Sequence, residues 1–429
     1  NRRERQMKAK VYPLSSQKNI KMEIPPSAKM LHYAIICASI AKGTSVLKNV
    51  NYNRNILDTI QWCKQIGATI KQKKNRLTIH GVNNQIHLTN NVFETKASRY
   101  TFLYMLPLLS LSHHPIIFKT PSSAIIEQAN PYKYIFEKEN LYYHVENQTI
   151  KIEQAIKSGF IYINGHDNAS LILGLLLALP LLNTGSKIVV RAPVTEKEDI
   201  EQFINLLKKF GIHIVFNTSN HTIEIMPNQS FKAYSFSIET DYYLLSLCTV
   251  LNQFSGVVNF IHVNKKSSGT DYLLLQQLKE FNIEWNNRFL NPKKRKELHL
   301  TKVDVSIYKK VFPLLLVLAL FNKNAVTFTH LDSSSTIQRQ LKIMLNVFDV
   351  LEVEYQQQEN ELLVFPKQIQ NKKQLDCQKD PYIAIVLSLL AVISKTPLII
   401  KNCQCIDYVF EGFYRQIQNF GSIVEFIHD

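Results

Sequence analysis

Glycine is scarce in this chain. The 12 glycines among 429 residues are less than half of the usual share of about 7%. Sites that press the backbone against phosphate groups need glycine, because it has no Cβ. The chain contains neither G-x-x-x-x-G-K-[ST] nor G-x-G-x-x-G, the motifs of two common nucleotide-binding loops. We therefore expect no bound cofactor.

Long apolar runs are absent as well. The longest, LILGLLLALPLL and VFPLLLVLALF, have about a dozen residues, whereas a membrane helix needs about 20. No signal-peptide pattern is visible. The six cysteines are scattered, and only Cys403 and Cys405 are close, in a C-x-C spacing that does not complete a zinc site. These features predict a cytoplasmic protein in a reducing compartment, with neither metal nor membrane contact.

Acidic residues are fewer than basic ones. The chain has 50 Lys and Arg against 34 Asp and Glu, a formal charge of +16. Such a charge attracts nucleic acid, acidic lipid, phosphorylated metabolites or an acidic partner, although an AT-biased genome would also enrich lysine on solvated surfaces. The densest basic run, NPKKRKE at 291–297, has no interleaved aromatic residues. An unknown protein or ribonucleoprotein partner and a small anionic ligand are both left open.

One pattern recurs about every 70 residues. A helical segment ends at a small or turn-forming residue, and a β-rich run, a polar turn and a second β-rich run follow. The six turning points are Gly67, Asn140, Gly211, Asn282, Asp349 and Gly421. At this period, six α/β units divided into two globular domains are more natural than a solenoid.

Each unit also holds a second, almost wholly apolar helical segment, and such helices belong in a buried core. The six segments are 31–41, 102–111, 171–182, 244–251, 311–321 and 383–393. If their N-termini converge, the helix dipoles and unpaired N–H groups would attract an anion.

Several stretches in order resemble the enolpyruvyl transferases, and most of all the bacterial 5-enolpyruvylshikimate-3-phosphate (EPSP) synthases. They include IPPSAKMLHYAIICASIAKG, YINGHDNASLILGLLLALPLL, SIETDYYLLSL and DPYIAIVLSLLAV. The resemblance implies an α/β fold with two domains, each an inside-out α/β barrel of three βαβ-type units. The first domain would be 25–238, and the second 1–24 plus 239–429.

The resemblance also implies an activity. Members of the family transfer the enolpyruvyl group of phosphoenolpyruvate to shikimate-3-phosphate through a tetrahedral intermediate. This chemistry needs cations to hold a phosphate and two carboxylates, together with an acid and a base.

The sequence departs from the family at most positions that would supply those groups. In the opening P-x-S-K-S motif, Ala28 replaces the lysine and Lys29 follows it. Tyr33 replaces an arginine five residues beyond that lysine, and Thr101 replaces the arginine of E-S-G-S-T-x-R. The R-P that helps to bind phosphoenolpyruvate aligns with Glu127 and the glutamine after it, which reverses the charge.

The later motifs differ in the same way. Asn168, Ala169 and Ser170 stand where the family has S-S-Q, and Lys310 takes the position of the aspartate expected as general base. The K-E-S-D-R segment falls at 336–340, which contains Arg339.

Two further motifs lie near the C-terminus. The D-H-R motif keeps Asp380 but has Tyr382 in place of its arginine, and Tyr408 replaces the late lysine of K-S-x-P. The resemblance thus implies a preserved scaffold around a dismantled site, in which these residues line a remodelled cleft.

Four polar residues match family positions, namely Ser27, Glu239, Asp241 and Asp271. They would either line the remodelled cleft or cap helices and fix turns, which Ser and Asp do commonly. The cations Lys29, Arg99, Lys310 and Arg339 would form a new anion site if they converge. His32, His166 and the pair at 113–114 show no ligand spacing.

Three functions follow. The first is an EPSP synthase-like protein without catalysis, serving as a scaffold, regulatory or assembly subunit. The second is a divergent transferase with a remodelled site. The third is a basic module that binds RNA or a ribonucleoprotein, with steep salt dependence.

Overall fold

The computed structural model describes residues 7–14, 20–95, 98–121, 123–164, 169–191, 197–254, 258–261, 263, 267, 269–283, 297–419 and 421–428. Asn168, His166 and the basic run 291–297, except Glu297, lie outside these ranges. The described residues group into two compact units. The first unit comprises Pro26–Glu239 with a few residues around Gly269, and the second comprises the remainder on both sides.

The described strands are β1 Met7–Val11, β2 Ile20–Glu23, β3 Thr44–Lys48, β4 Thr69–Lys73, β5 Arg76–His80, β6 Val92–Glu94, β7 Ile116–Lys119, β8 Tyr143–Glu146, β9 Thr149–Ile152, β10 Phe160–Asn164, β11 Ser186–Arg191, β12 Ile214–Asn217, β13 Thr222–Ile225, β14 Phe236–Ser237, β15 Val258–Ile261, β16 Lys302–Asp304, β17 Val326–Thr329, β18 Tyr355–Gln358, β19 Glu361–Val364, β20 Lys373–Asp376, β21 Leu398–Lys401 and β22 Val424–His428.

The described α-helices are α1 Ala28–Ile40, α2 Arg54–Gln65, α3 Arg99–Ser110, α4 Ser123–Gln128, α5 Asn130–Lys138, α6 Ala169–Ala178, α7 Lys197–Lys209, α8 Tyr242–Cys248, α9 Val250–Phe254, α10 Thr270–Gln277, α11 Phe312–Ala319, α12 Ser335–Leu351, α13 Pro381–Ile393 and α14 Phe413–Asn419. None of these helices is long and apolar enough to cross a membrane.

The first unit is built from three four-stranded sheets of one design. Their strand orders are β14-β3-β5-β4, β6-β7-β9-β8 and β10-β11-β13-β12. In each sheet the first two strands are parallel, and the next two pairings are antiparallel. The recurring helix, strand, turn and strand of the sequence therefore correspond to a repeated sheet topology.

The second unit repeats the design in the sheet β16-β17-β19-β18. A further sheet, β20-β21-β1-β22, takes its third strand from the beginning of the chain. There β1 pairs antiparallel with β21, Lys8 facing Lys401, and with β22, Met7 facing His428. A parallel pair, β15 with β2, completes the described strands of this unit.

The apolar helices form the cores, as expected for an inside-out α/β fold. In the first unit α1, α3 and α6 are almost fully buried, and in the second unit α11 and α13 are. Because their side chains are apolar all round, these helices are stable only where other elements cover every face. The predicted fold class is thus confirmed.

Helix α6 packs closely on α3 because Gly174 lacks a side chain. A Cβ at this position would lie 2.3 Å from Tyr132 Oη and 2.5 Å from the carbonyl oxygen of Leu103. The Tyr132 hydroxyl lies 2.8 Å from that carbonyl and 3.0 Å from the carbonyl of Leu171. It therefore joins the two helices where they approach most closely.

The prediction of a single helix over 244–251 was wrong, because the chain forms α8 and then α9. The Ser246 hydroxyl donates to the carbonyl of Tyr242 at 2.8 Å, and the Thr249 hydroxyl donates to the carbonyl of Ser246 at 2.6 Å. Such side-chain bonds compete with the backbone ladder of a helix. The segment 171–182 also ends early, since Pro180 has no N–H and a 3-10 turn, Leu179–Leu181, follows α6.

Candidate functional site

Four of the helix N-termini expected to hold an anion, those of α1, α3, α8 and α13, are capped by side chains of the chain itself, whereas α11 has no side-chain cap. In the first unit, Ser27 accepts a hydrogen bond from the backbone N–H of Met30 at the start of α1. Ser98 does the same for Thr101 at the start of α3. These caps satisfy one free donor at each helix start.

The second unit uses aspartates for the same purpose. Asp241 accepts from the N–H of Leu244 at 2.9 Å, and Asp380 accepts from the N–H groups of Tyr382 and Ile383 at 3.0 and 3.1 Å. A carboxylate at a helix start is stabilised by the helix dipole and repels a second anion from the same place. The contacts described for Ser27 and Asp241 at these helix starts are thus those of helix caps.

Lys29, the remaining cation of the opening motif, is paired within the first unit. Its Nζ lies 2.7 Å from Oδ1 of Asp199, and the two side chains are only 19% and 9% exposed. Asp199 stands beside Glu198 in the first turn of α7. The positive charge at the start of α1 is thus already balanced by a largely buried carboxylate.

Lys310, which the resemblance places at the general-base position, is paired in the second unit. Its Nζ lies 2.7 Å from Oδ1 of Asp271, in the first turn of α10. An ammonium group held by a carboxylate has no free electron pair, so as placed Lys310 offers a charge and not a base.

The third cation, Arg339 on α12, forms an ion pair with the capping carboxylate of α13. Its Nη2 lies 2.6 Å from Oδ2 of Asp380, whose side chain is 3% exposed while that of Arg339 is 54% exposed. Asp380 therefore serves as both helix cap and counter-ion. Arg99, on α3, donates a hydrogen bond to the hydroxyl of Tyr100 at 3.0 Å.

Tyr33 and Thr101, which the resemblance places at two arginine positions, are buried in the first unit. Tyr33 is 1% exposed, and its ring packs on Phe203 at 4.5 Å and Tyr104 at 5.1 Å. Tyr104 donates a hydrogen bond to the Tyr33 hydroxyl, and burial raises the pKa of Tyr33. As placed, these side chains fill space and carry no charge at neutral pH.

A buried chain of polar groups that sequence reasoning missed runs from His32 to the start of α3. His32 Nδ1 lies 2.6 Å from the Thr59 hydroxyl, which lies 2.6 Å from that of Thr101. The Thr101 hydroxyl donates in turn to Ser98 at 2.7 Å. Burial lowers the pKa of His32 to about 3, so this imidazole is neutral in the folded protein. No sequence signal joins residues so far apart.

Two of the other candidate residues lie beside groups already described. The Ser170 side chain is hydrogen-bonded to Tyr104, the partner of Tyr33, and Tyr382 follows the capping Asp380. Ser170 is buried at the start of α6, and Glu127 is exposed on α4. The Tyr382 ring packs on Tyr243 at 4.6 Å. Tyr408 ends a 3-10 helix, Cys403–Tyr408. A ligand-binding role for these residues stays a prediction.

Two cavities in the second unit, of about 280 and 510 Å³, are lined by other residues. The smaller lies at the end of α12 against the segment between β19 and β20, and the larger lies along α12 beside β18. Among the described residues, no cluster of three or more His, Cys, Asp or Glu could hold a metal ion. All six cysteines are buried free thiols. The groups that stand out chemically are therefore the three ion pairs at helix starts.

Two solved structures with the same fold are enolpyruvyl transferases. EPSP synthase from Acinetobacter baumannii superimposes with a TM-score of 0.80, covering 98% of this chain and 100% of that one at 16% identity. The enolpyruvyl transferase NikO from Streptomyces tendae superimposes with a TM-score of 0.76, covering 99% and 100% at 10% identity. At these identities the likeness establishes the enolpyruvyl transferase fold.

The amino-acid sequence is similar to one family within this fold. The EPSP synthase family, described as 3-phosphoshikimate 1-carboxyvinyltransferase, matches residues 15–128 and 132–417. The 3-phosphoshikimate 1-carboxyvinyltransferase of Clostridium perfringens strain 13 is 26% identical over 94% of this chain and 96% of its own length. That of Clostridium kluyveri is 25% identical over 94% and 95%. The chain belongs to the EPSP synthase family.

Proposed function

We propose that this chain is a non-catalytic member of the EPSP synthase family. It keeps the two-domain fold of the family and acts as a scaffold, regulatory or assembly subunit. The observation that carries the proposal is the pairing of Lys29, Lys310 and Arg339 with carboxylates of their own unit at 2.6–2.7 Å. A phosphate or carboxylate ligand would have to displace these carboxylates before it could bind.

The magnitudes support the same conclusion. Each charge-assisted hydrogen bond to a phosphate or carboxylate contributes about 1.5–3 kcal/mol, and every 1.4 kcal/mol is about tenfold in affinity. The family pattern loses its charged group at Ala28, Tyr33, Thr101, Tyr382 and Tyr408. Five such losses would lower affinity for a doubly anionic substrate by several orders of magnitude.

The general-base position adds a second argument. A proton must be taken from the attacking hydroxyl, and the acceptor must be unprotonated and within hydrogen-bond distance. Lys310 is a cation held by Asp271 at 2.7 Å. Asp271 accepts a hydrogen bond from that ammonium group, so the two charges balance each other and neither group is placed as a free proton acceptor.

The test measures binding and turnover in parallel with the Clostridium perfringens relative as positive control. Shikimate-3-phosphate and phosphoenolpyruvate are each added at millimolar concentration in calorimetry and in thermal melting, and phosphate release is then followed. We expect no heat, no rise in melting temperature and no turnover. Turnover of shikimate-3-phosphate above the buffer rate would refute the proposal.

A pair of variants tests the role of the carboxylates directly. Asp199→Asn and Asp271→Asn remove the negative charge and keep the shape of the side chain. If internal pairing blocks anions, each variant should bind inorganic phosphate more tightly than the wild-type chain in calorimetry. Glu224→Gln is the matched control, since that exposed carboxylate lies on β13 and pairs with Lys187 of β11, so that neither partner belongs to a helix start.

A divergent transferase is the second candidate, and the relatives' names favour it. Their 3-phosphoshikimate 1-carboxyvinyltransferase activity would come to this chain if closure of a substrate complex rearranged the ion pairs. In that case, Lys29→Ala and Lys310→Ala would abolish the measured turnover, while Lys302→Ala would not.

A further inference from the structure

The outer face of one sheet in the first unit carries exposed aromatic side chains. Residues of β10 alternate between the core and solvent, so that Ile161 and Ile163 are buried while Phe160 and Tyr162 are 63% and 53% exposed. Side chains two positions apart on a strand point to the same side, about 6.6 Å apart. Two large rings thus stand next to each other in water, where apolar surface is unfavourable.

A helix extends this surface. Lys138, at the end of α5, lies with its Nζ 5.0 Å from the ring centre of Tyr162 and 3.5 Å from the carbonyl oxygen of Phe160. Tyr134 precedes Lys138 by four residues and is therefore its neighbour on the helix surface. Tyr134 is 75% exposed. We call Tyr134, Phe160 and Tyr162 the aromatic face.

Cations border the aromatic face. In the parallel register of β10 and β11, Lys187 lies beside Phe160 and Arg191 beside Asn164. Lys187 is balanced by Glu224 at 2.9 Å, whereas Lys138 and Arg191 form no ion pair with any described residue. The local excess charge is positive, as is the charge of the whole chain, +16.

We propose that the aromatic face binds single-stranded nucleic acid. Exposed aromatic rings on the outer side of a sheet are platforms on which unpaired bases stack, and adjacent cations attract the phosphates. Charge favours this occupant over a second copy of the chain, because two surfaces of equal positive charge repel each other. None of Tyr134, Phe160 and Tyr162 is a candidate residue of the site described above, and none takes part in its ion pairs, so this proposal and the proposed function are tested by different variants.

The experiment measures fluorescence anisotropy of a labelled twelve-nucleotide uridine strand with the full chain. At 50 mM salt we expect a Kd of about 10 µM or tighter, weakening steeply as salt rises. The thymidine deoxy-strand should bind with similar affinity, because stacking does not read the 2′-hydroxyl. A duplex of the same length should bind less tightly, since its bases are already stacked.

Variants then assign the surface. Phe160→Ala and Tyr162→Ala should each weaken binding about 5- to 100-fold, the usual effect of removing one stacking ring. Phe426→Ala, an exposed strand aromatic of the second unit, is the matched control and should bind as the wild-type chain does. Because these side chains are exposed, thermal melting should show all three variants folded.

A lysine variant tests the electrostatic part. Lys138→Gln should lower the slope of log K against log salt by about 0.7, the share of one phosphate contact with a single strand. Lys302→Gln, on the exposed edge of β16, should leave that slope unchanged.

Three results would overturn the proposal. The first is no binding at 100 µM protein and 50 mM salt. The second is wild-type affinity in both Phe160→Ala and Tyr162→Ala. The third is self-association of the wild-type chain in sedimentation that these substitutions abolish, which would assign the aromatic face to a second copy.

Discussion

Replacing His32 by asparagine should remove a large part of the pH dependence of stability of the first unit. His32 is fully buried on α1, with one ring nitrogen bound to the Thr59 hydroxyl and Nε2 without a described partner. Burial lowers its pKa from 6.5 to about 3. The folded unit therefore excludes a proton that the unfolded chain binds below pH 6.5.

The sign and size follow from this difference in pKa. Where the unfolded state binds more protons, the free energy of unfolding rises with pH. The stability linked to His32 is thus fully present above pH 6.5 and is lost as pH falls towards 3. Between pH 7 and pH 4 the loss comes to about 3 kcal/mol. Asparagine cannot titrate. Between pH 7 and pH 4 the free energy of unfolding of the variant should therefore fall by about 3 kcal/mol less than that of the wild-type chain.

Urea unfolding at several pH values, followed by tryptophan fluorescence, measures the effect. Trp62 is buried on α2 in the same unit, and replacing Trp285 by phenylalanine in every protein leaves Trp62 as the reporter. His80→Asn is the matched control, since His80 also contacts a threonine hydroxyl, that of Thr44 at 3.0 Å, but is exposed. If wild type and His32→Asn lose stability in parallel between pH 7 and 4, the reasoning is wrong.

Three further outcomes are expected. Gly174→Ala should lower the free energy of unfolding of the first unit by about 3 kcal/mol, because the new Cβ would overlap Tyr132 and a helix carbonyl. Ala178→Gly on the same helix should lower it by only about 1 kcal/mol. Urea unfolding measures both. Asp380→Ala should lower the stability of the second unit by about 1–2 kcal/mol, and Asp380→Asn by about half of that, since asparagine still caps α13 but no longer pairs with the exposed guanidinium; equal effects of the two would contradict the capping role. All six thiols should resist Ellman's reagent in the native chain and react in denaturant, because each is buried; rapid reaction of any thiol without denaturant would show that its burial is incomplete.

The sequence predicts the fold well because the fold depends on patterns that are local. Apolar segments such as those of α1 and α13 can be stable only inside a core, and the β-rich pairs separated by polar turns became hairpins such as β4–β5. Five of the six helix starts were placed two or three residues too late, however, and only that of α11 was placed one residue early. Helix α1 begins at Ala28 because Ser27 caps it, and an apolar pattern does not register polar residues in a first turn.

The chemistry of the candidate site could be predicted only in part. The loss of charged groups at Tyr33 and Tyr382 is visible in the letters of the sequence. The pairing of Lys29 with Asp199, 170 residues away, depends on how α1 and α7 pack, and no local pattern carries that information. For the same reason the buried contacts of His32 could not be foreseen. The sequence showed only that no other histidine stands at a metal-ligand spacing from it.

The pairing of β1 with β21 and β22 has a consequence for the order of events during synthesis. The first unit is almost entirely one stretch, Pro26–Glu239, with a few residues around Gly269, and all strands of its three sheets have been made while much of the chain is still to come. The sheet of β1 is different, because Met7 of β1 pairs with His428 of β22, which is synthesised 421 residues later. Contacts of such separation form slowly. The first unit should therefore fold while translation continues, whereas β1 should stay unpaired until its partners β21 and β22 have been made.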